Sequence, residues 1–298
     1  MLGNLMAQQS PVFTQYQFND FIINPALAGV NDYYQIRLTH RSQWVGVKDA
    51  PRTYALSAYG PHKSMPMGWG GYVFSDATGP TSKNGLYGAY GYQVPLQADM
   101  NLSFGLSIGI IQYRIDINKI DFNKQEEEIA TLPQYKNNFI RPDASAGVYF
   151  YSSRYYAGLA VDQLFNSKIV LERSEIDTTD GTFSRLKSHF TLHGGYKFNI
   201  NRDFDGEPSM LIRATAKARP QAEITARGIY RKMAWLGVSF RTNDAVGILA
   251  GYNYLDQIYI GYSYDIIVNK LRKGSGGSHE VMIGARFNKI RSGSKSKM

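Results

Sequence analysis

The sequence predicts an all-β protein: a transmembrane antiparallel up-and-down β-barrel of about 14 strands, with an N-terminal strap or plug segment. Three observations predict it. Apolar and polar residues alternate from residue 34 almost to the end, the connections differ systematically in length, and the 298 residues include 22 tyrosines. Because lipid-spanning β-strands alternate outward apolar with inward polar side chains, such a barrel has the hydropathy of a soluble protein. The mean hydropathy here is −0.32.

Composition narrows the class further. The chain has no cysteine, which excludes a disulfide-stapled scaffold and thiolate metal sites. No run of 18 apolar residues is present, so no transmembrane helix is predicted. The net charge of +9 is concentrated in the tail and in the last predicted outer loop, at Lys289, Arg291, Lys295, Lys297, Lys270, Arg272 and Lys273. This distribution does not suit a nucleic-acid surface; it places cations where lipid head groups or a partner would meet the barrel ends.

Four segments are predicted along the chain. Residues 1–7 look like the end of a secretory signal peptide cleaved near Ala7, although the basic start and apolar core of a complete signal are missing. The alternative is an ordinary frayed N-terminus. Residues 8–32 form the strap or plug, residues 33–288 the outer-membrane barrel, and residues 289–298 a basic C-terminal tail.

Alternation is clearest in residues 101–112, 188–199, 257–265 and 280–287, where apolar residues occupy one face and small or polar residues the other. Such alternation favours strand over helix, because successive strand side chains point to opposite faces. Counting similar segments gives fourteen strands, an even number, as in bacterial single-chain barrels. They are predicted near residues 33–43, 52–60, 67–76, 84–94, 99–115, 142–151, 154–163, 187–199, 208–218, 221–231, 234–242, 245–254, 257–266 and 279–288.

The connections support a barrel because their lengths sort by side. The three longest all follow odd-numbered strands, at 116–141, 162–186 and 267–278. Several connections after even-numbered strands are short, at 152–153, 232–233 and 255–256. Outer-membrane barrels have long outer loops and short periplasmic turns, so the pattern fits them. Short odd connections at 219–220 and 243–244 weaken the pattern without reversing it.

Tyrosines near strand ends predict an aromatic girdle at the membrane interfaces. They are Tyr33, Tyr34, Tyr72, Tyr90, Tyr92, Tyr149, Tyr151, Tyr155, Tyr156, Tyr252, Tyr254 and Tyr264. The opposite strand faces carry small, hydroxyl and charged residues, among them Arg213, Glu223, Arg227, Arg241 and Glu280. A polar lumen accepts such residues, and their opposite charges suit a lumen that holds a plug rather than an open pore.

One combination of motifs is more specific than the strands. Residues 13–19 read Phe-Thr-Gln-Tyr-Gln-Phe-Asn and residues 23–29 read Ile-Asn-Pro-Ala-Leu-Ala-Gly. Residues 41–44 read Arg-Ser-Gln-Trp, and residues 50–54 read Ala-Pro-Arg-Thr-Tyr. This combination resembles the PorP/SprF family of type IX secretion system outer-membrane proteins, along the whole chain to Phe287. The sequence departs from it in lacking a complete signal peptide and in continuing past Phe287.

The resemblance implies a multi-pass protein of the cell outer membrane, with both barrel termini periplasmic, tied to type IX secretion and gliding motility. Some family members help export or retain large surface adhesins that carry a C-terminal sorting domain. Others associate with the periplasmic secretion ring or with an OmpA-like peptidoglycan-binding lipoprotein. The expected partners are of these kinds, together with outer-membrane lipid and without nucleic acid.

The motif residues are the candidates for partner binding: Tyr16, Phe18, Asn24, Pro25, Gly29, Arg41, Gln43 and Trp44. The Asn-Pro pair fixes an extended or turn geometry, and the glycine permits a close approach or a positive φ. Trp and Arg are favoured interface anchors. The alternative is structural, with Trp44 in the aromatic girdle and Arg41 in a luminal ion pair. The segment itself would lie in the lumen as a plug or face the periplasm as a strap.

The sequence predicts no enzyme, no cofactor and no metal. His189 and His193 share a strand face but lie about 13 Å apart, too far to bind one metal. Adjacent Ser-His pairs at 188–189 and 278–279 point to opposite faces, so no nucleophile has a base within reach. The acidic run at 126–128 is interpreted as a solvated loop. The alternatives to a secretion role are a porin-like diffusion channel and a soluble all-β binding module.

Overall fold

A computed structural model describes most of the chain as one closed sheet. The described residues are 11–97, 99–116, 138–170, 183–185, 187–215 and 218–288. The barrel strands are β1 Tyr34–Ser42, β2 Arg52–Pro61, β3 Met67–Thr78, β4 Thr81–Gln97, β5 Met100–Ile115, β6 Asn138–Tyr151, β7 Tyr155–Asp162, β8 His189–Tyr196 with its continuation Phe198–Asn199, β9 Phe204–Thr215, β10 Ala218–Tyr230, β11 Ala234–Arg241, β12 Ala245–Tyr254, β13 Ile258–Ile267 and β14 Ser278–Phe287. The predicted signal remnant, the basic tail and the acidic run lie outside the described residues.

Each strand pairs antiparallel with its neighbours in sequence, and β1 pairs with β14 to close the barrel. The closing register runs from Tyr34 opposite Phe287 to Ser42 opposite His279. Closure pairs both edges of the barrel sheet. In lipid, each backbone N–H or C=O group left unpaired at an edge would cost several kcal/mol. The predicted barrel of 14 strands is confirmed, and every predicted boundary lies within four residues of the observed one.

The barrel has two different ends. The connections after odd-numbered strands share what we call the loop end, whose described residues include 43–51, 79–80, 163–170 and 268–277. In the connection after β7, Lys168–Val170 pairs with Phe183–Arg185 as a short hairpin. Connections after even-numbered strands share the turn end, and the longest of them is residues 62–66. Since the strand number is even, β1 begins and β14 ends at the turn end.

The outward face is apolar and the inward face is polar, as the alternation predicts. In β5 the side chains of Phe104, Leu106 and Ile108 are 46%, 52% and 61% exposed, whereas Ser103 and Ser107 are buried. A single chain in water would not expose so continuous an apolar surface, so this face requires lipid. No helix of the described residues is long and apolar enough to cross a membrane.

The predicted aromatic girdle needs a correction. Tyr90, Tyr92, Tyr252 and Tyr254 point outward near the turn end and are exposed. Four other predicted members lie inside the barrel, where Tyr72 and Tyr149 are buried and Tyr151 and Tyr156 pack against them: these four are luminal. The reason is strand parity. A tyrosine near a strand end faces lipid or lumen according to its position in the alternation, and these four share the inward positions.

Candidate functional site

Residues 11–33, here called the luminal segment, lie inside the barrel. They form three short 3-10 turns, Tyr16–Phe18, Asp20–Ile22 and Pro25–Leu27, before the chain enters β1. Tyr16 and Phe21 are 1% exposed, and Asn24 is fully buried. Because the barrel wall supplies the surroundings of these side chains, the segment and the inward strand faces form one packed interior.

Contacts with the wall give the direction of the segment. Thr14 contacts Glu280 near the loop end, and Asn19 accepts a hydrogen bond from Ser57 at mid-barrel. Gly29 lies against Gly68 at the start of β3, near the turn end. The segment therefore runs down the lumen from the loop end to the turn end, and the chain then turns back into β1.

Near the loop end, the hydroxyl of Thr14 is held by a buried group of charges that we call the Thr14 cluster. Arg41 and Arg241 each donate to Thr14 Oγ1 at 2.7 Å, and Thr14 Oγ1 donates to Asp265 at 2.9 Å. Arg41 also pairs with Asp265 at 2.6 Å and with Glu280 at 3.0 Å. Each of the four charged side chains is at most 2% exposed.

The backbone of the segment completes the Thr14 cluster. The amides of Thr14 and Gln15 donate to the two carboxylate oxygens of Glu280, at 2.8 and 2.9 Å. On the far side, Arg241 pairs with Glu223 at 3.0 Å and with Asp244 at 2.9 Å. Buried charges are tolerated only when they are paired and hydrogen-bonded, so wall and segment depend on each other for this balance.

Towards the turn end, the segment crosses a row of four inward glycines. Gly68, Gly91, Gly105 and Gly147 stand directly opposite one another on β3, β4, β5 and β6. A Cβ atom on Gly91 would lie 2.5 Å from Ala28 O, and one on Gly105 would collide with the backbone of Ala26. The glycine row thus makes a side-chain-free floor, and the backbone of residues 24–29 lies directly on it.

Asn24 explains the Asn-Pro pair. Its side chain accepts a hydrogen bond from Ala26 N at 3.0 Å, which caps the 3-10 turn that begins at Pro25. The amide nitrogen of Asn24 donates to Val148 O at 3.1 Å and lies 3.2 Å from His193 Nε2. Gly29 has a φ of +81°, a conformation that favours glycine, so the motif ends in a sharp turn against Gly68.

Aromatic side chains anchor the segment to both sides of the lumen. Phe21 stacks on Tyr59, with ring centroids 4.3 Å apart, and meets the edge of Tyr72 at 6.0 Å. Across the lumen, Phe18 stacks on Trp235 at 4.4 Å. Ring pairs of this kind stabilise by roughly 0.5–1.5 kcal/mol beyond area burial.

Tyr16 and Phe18 also have polar neighbours. The Tyr16 hydroxyl donates to Ser209 Oγ at 3.1 Å. The guanidinium of Arg227 lies over the Phe18 ring at 4.5 Å and pairs with Glu207 at 2.6 Å. The segment therefore has polar as well as aromatic attachments to β9 and β10.

The predicted partner-binding residues fall in two places. Tyr16, Phe18, Asn24, Pro25 and Gly29 belong to the luminal segment, and Arg41 belongs to the Thr14 cluster. Gln43 and Trp44 lie in the loop after β1 and are half-buried. Their role in partner binding stays a prediction.

The first loop is tied to the last. Trp44 has a φ of +47° and donates its amide to Ser278 Oγ at 3.1 Å. Val45 donates to Gly277 O at 2.8 Å and accepts from Gly276 N at 2.6 Å. These bonds fix the conformation of residues 43–51 at the loop end.

Sequence reasoning did not find the glycine row or the luminal aromatic residues. A sequence signal for the glycine row does exist, because each of four consecutive strands has a glycine at an inward position of its alternation. His189 and His193 face the lumen and are 7% and 2% exposed. Within the described residues, no three His, Cys, Asp or Glu side chains are grouped to hold a metal ion.

A closed barrel with an apolar outer face and a polar, packed interior is an outer-membrane β-barrel protein. The chain belongs to the family described as type IX secretion system membrane protein PorP/SprF, whose model matches residues 5–285. No curated protein sequence matches it.

Three solved structures are similar to this chain over most of its length. The CymD monoaromatic hydrocarbon channel is 10% identical with a TM-score of 0.49, over 90% of this chain and 91% of CymD. A Pseudomonas aeruginosa FadL homologue is 13% identical with a TM-score of 0.49, over 89% and 92%. Acinetobacter baumannii Omp33 is 10% identical with a TM-score of 0.45, over 86% and 98%.

Proposed function

We propose that the protein is a non-enzymatic outer-membrane component of the type IX secretion and gliding machinery, and that it binds, anchors or helps export a secreted surface adhesin with a C-terminal sorting domain. Membership of the PorP/SprF family supports the assignment to the type IX secretion machinery. The occupied lumen is the observation that carries the rest. A barrel whose interior is filled by its own segment has no open passage for solutes, so its rims and loops are the surfaces that can bind partners.

The two ends suit different partners. With the short turns in the periplasm, both barrel termini lie on the periplasmic side and the loop end faces outward. Gln43 and Trp44 are then on the side where a secreted adhesin arrives. Secretion-ring components or an OmpA-like peptidoglycan-binding lipoprotein would meet the turn end, where Arg154, Arg202 and Lys232 are exposed.

An affinity pull-down from detergent-solubilised membranes tests this function. We expect the tagged protein to recover a protein with a C-terminal sorting domain, secretion-system components, or both. Trp44→Ala should reduce recovery of the adhesin while the heat-modifiable mobility of the barrel is unchanged. Recovery of neither kind of partner with the wild-type protein would contradict the proposal.

A diffusion channel is the second candidate, and one observation favours it. Beside the start of the segment, a cavity of about 90 Å³ opens at the loop end, lined by Val12 and Phe13 and by the charged residues Lys83, Asp162 and Arg213. For a channel, this cavity would have to continue to the turn end, where the segment lies on the glycine row. Conductance measurements distinguish the two candidates.

A further inference from the structure

A second pocket lies outside the lumen, at the loop end. Residues 43–51 fold over the outward face of β1, β2 and β3 and enclose a pocket of about 520 Å³. Its polar lining comes from His40, Ser42, Gln43, Asp49, Arg52 and Tyr54. Outward side chains of a membrane barrel normally face hydrocarbon, so a polar outward pocket marks the level of the lipid head groups.

The pocket offers hydrogen-bond donors and one free cation. Ser42 Oγ lies 3.1 Å from His40 Nε2, and His40 stacks on Tyr54 with centroids 4.3 Å apart. Arg52 stands directly opposite Ser42 in the β1–β2 register and forms no ion pair with any carboxylate in the described part of the chain. The carboxylate of Asp49 also lines the pocket and is not paired with Arg52.

The pocket has basic residues on the loop side and apolar residues on the membrane side. Lys48 is exposed in the first loop, and the 3-10 turn Lys270–Lys273 of the last loop adds three more cations. The two loops are joined through Val45. On the membrane side of the pocket, Leu38 and Leu56 point outward and are 46% and 43% exposed.

We propose that this pocket binds the headgroup of a phosphate-bearing lipid, in the leaflet that adjoins the loop end. Arg52 would pair with the phosphate, Ser42 and His40 would hydrogen-bond to it, and an acyl chain would lie along Leu38 and Leu56. A guanidinium can pair bidentately with a phosphate, and polybasic surfaces attract anionic lipids.

The Ser-His pair does not extend the proposal to lipid hydrolysis. A serine nucleophile needs a base that a third group orients. His40 Nδ1 is buried and has no hydrogen-bond partner among the described residues, so nothing fixes the ring as a base for Ser42. The site is assigned as a binding site.

Native mass spectrometry of the delipidated full-length protein in detergent, titrated with bis-phosphorylated lipid A, tests the assignment. Arg52→Ala should weaken binding about tenfold, equivalent to 1.4 kcal/mol, and Arg52→Lys should restore part of it. Arg114→Ala is the matched control, because Arg114 is an exposed strand arginine at the same barrel end but outside the pocket. Equal losses in Arg52→Ala and Arg114→Ala would overturn the proposal, since binding would then be a general property of the rim.

Two further titrations identify what is recognised. Dephosphorylated lipid A should bind at least tenfold more weakly than the phosphorylated form. Inorganic phosphate, at the concentration that saturates with lipid A, should not displace it, because the headgroup and the acyl chain bind together. Equal binding of both lipids, or displacement by phosphate alone, would contradict a lipid site. Unchanged heat-modifiable mobility of each variant confirms that the barrel is folded.

Discussion

Gly105→Leu is expected to expel the luminal segment from a barrel that still closes. Any side chain at this position enters the space of the Ala26 backbone, and backbone cannot move aside by changing rotamer. Ordinary overpacking costs about 1–3 kcal/mol, because side chains can adjust, and a collision with backbone costs more. The segment rather than the wall should yield, since β5 is held by ladders of hydrogen bonds on both sides.

Cysteine labelling measures this expulsion, because the chain has no cysteine of its own. Ala26→Cys places a thiol at a position with no exposed surface, so a maleimide should label it slowly in the otherwise wild-type protein and rapidly together with Gly105→Leu. Gly88→Leu is the matched control on the neighbouring strand, where an added Cβ would meet no atom within 4 Å. Equal protection of the thiol in the Gly105→Leu and Gly88→Leu proteins would contradict the packing described for the glycine row.

Arg41→Ala is expected to destabilise the protein by about 3–5 kcal/mol, because it leaves buried carboxylates without their partner. Asp265 and Glu280 are 1% and 0% exposed; Asp265 would keep Arg241 at 3.3 Å, whereas Glu280 has no other ion pair in the described part of the chain. Thr14 would lose one of the two arginines that hold it. The change in the free energy of unfolding is measured by denaturant titration, with the loss of heat-modifiable gel mobility as the signal of unfolding.

Two companion variants separate the burial of charge from a general effect of removing arginine. Arg231 pairs with Asp203 on the surface, with side chains 57% and 46% exposed, so Arg231→Ala should leave the stability of the protein nearly unchanged. Arg41→Ala combined with Glu280→Gln should be less destabilised than Arg41→Ala alone, since one unpaired charge is removed. A double variant as unstable as the sum of its single variants would show that Arg41 and Glu280 do not act together.

The barrel was predictable because its signals are local. The alternation of apolar and polar residues along one strand, as in β5, indicates which side chains face the membrane. The difference in length between successive connections indicates which of them share an end of the barrel. Neither requires knowledge of distant contacts. The even strand number then follows from counting.

The interior was less predictable because its partners are far apart in the chain. Nothing in the sequence near Thr14 indicates that it meets Asp265, 251 residues away. Tyr72 and Tyr90 look alike as strand tyrosines, and only the register separates the luminal one from the outward one. Glycine is equally ambiguous: Gly105 supports the segment, whereas Gly88 on the next strand faces open space.

Whether residues 11–33 close the lumen is measured by the planar-bilayer conductance of the purified protein. We expect little steady conductance for the wild type and for Gly88→Leu, and a larger, steady conductance for Gly105→Leu. A wild-type protein that conducts steadily and as strongly as Gly105→Leu would contradict closure of the lumen by this segment and favour a diffusion channel.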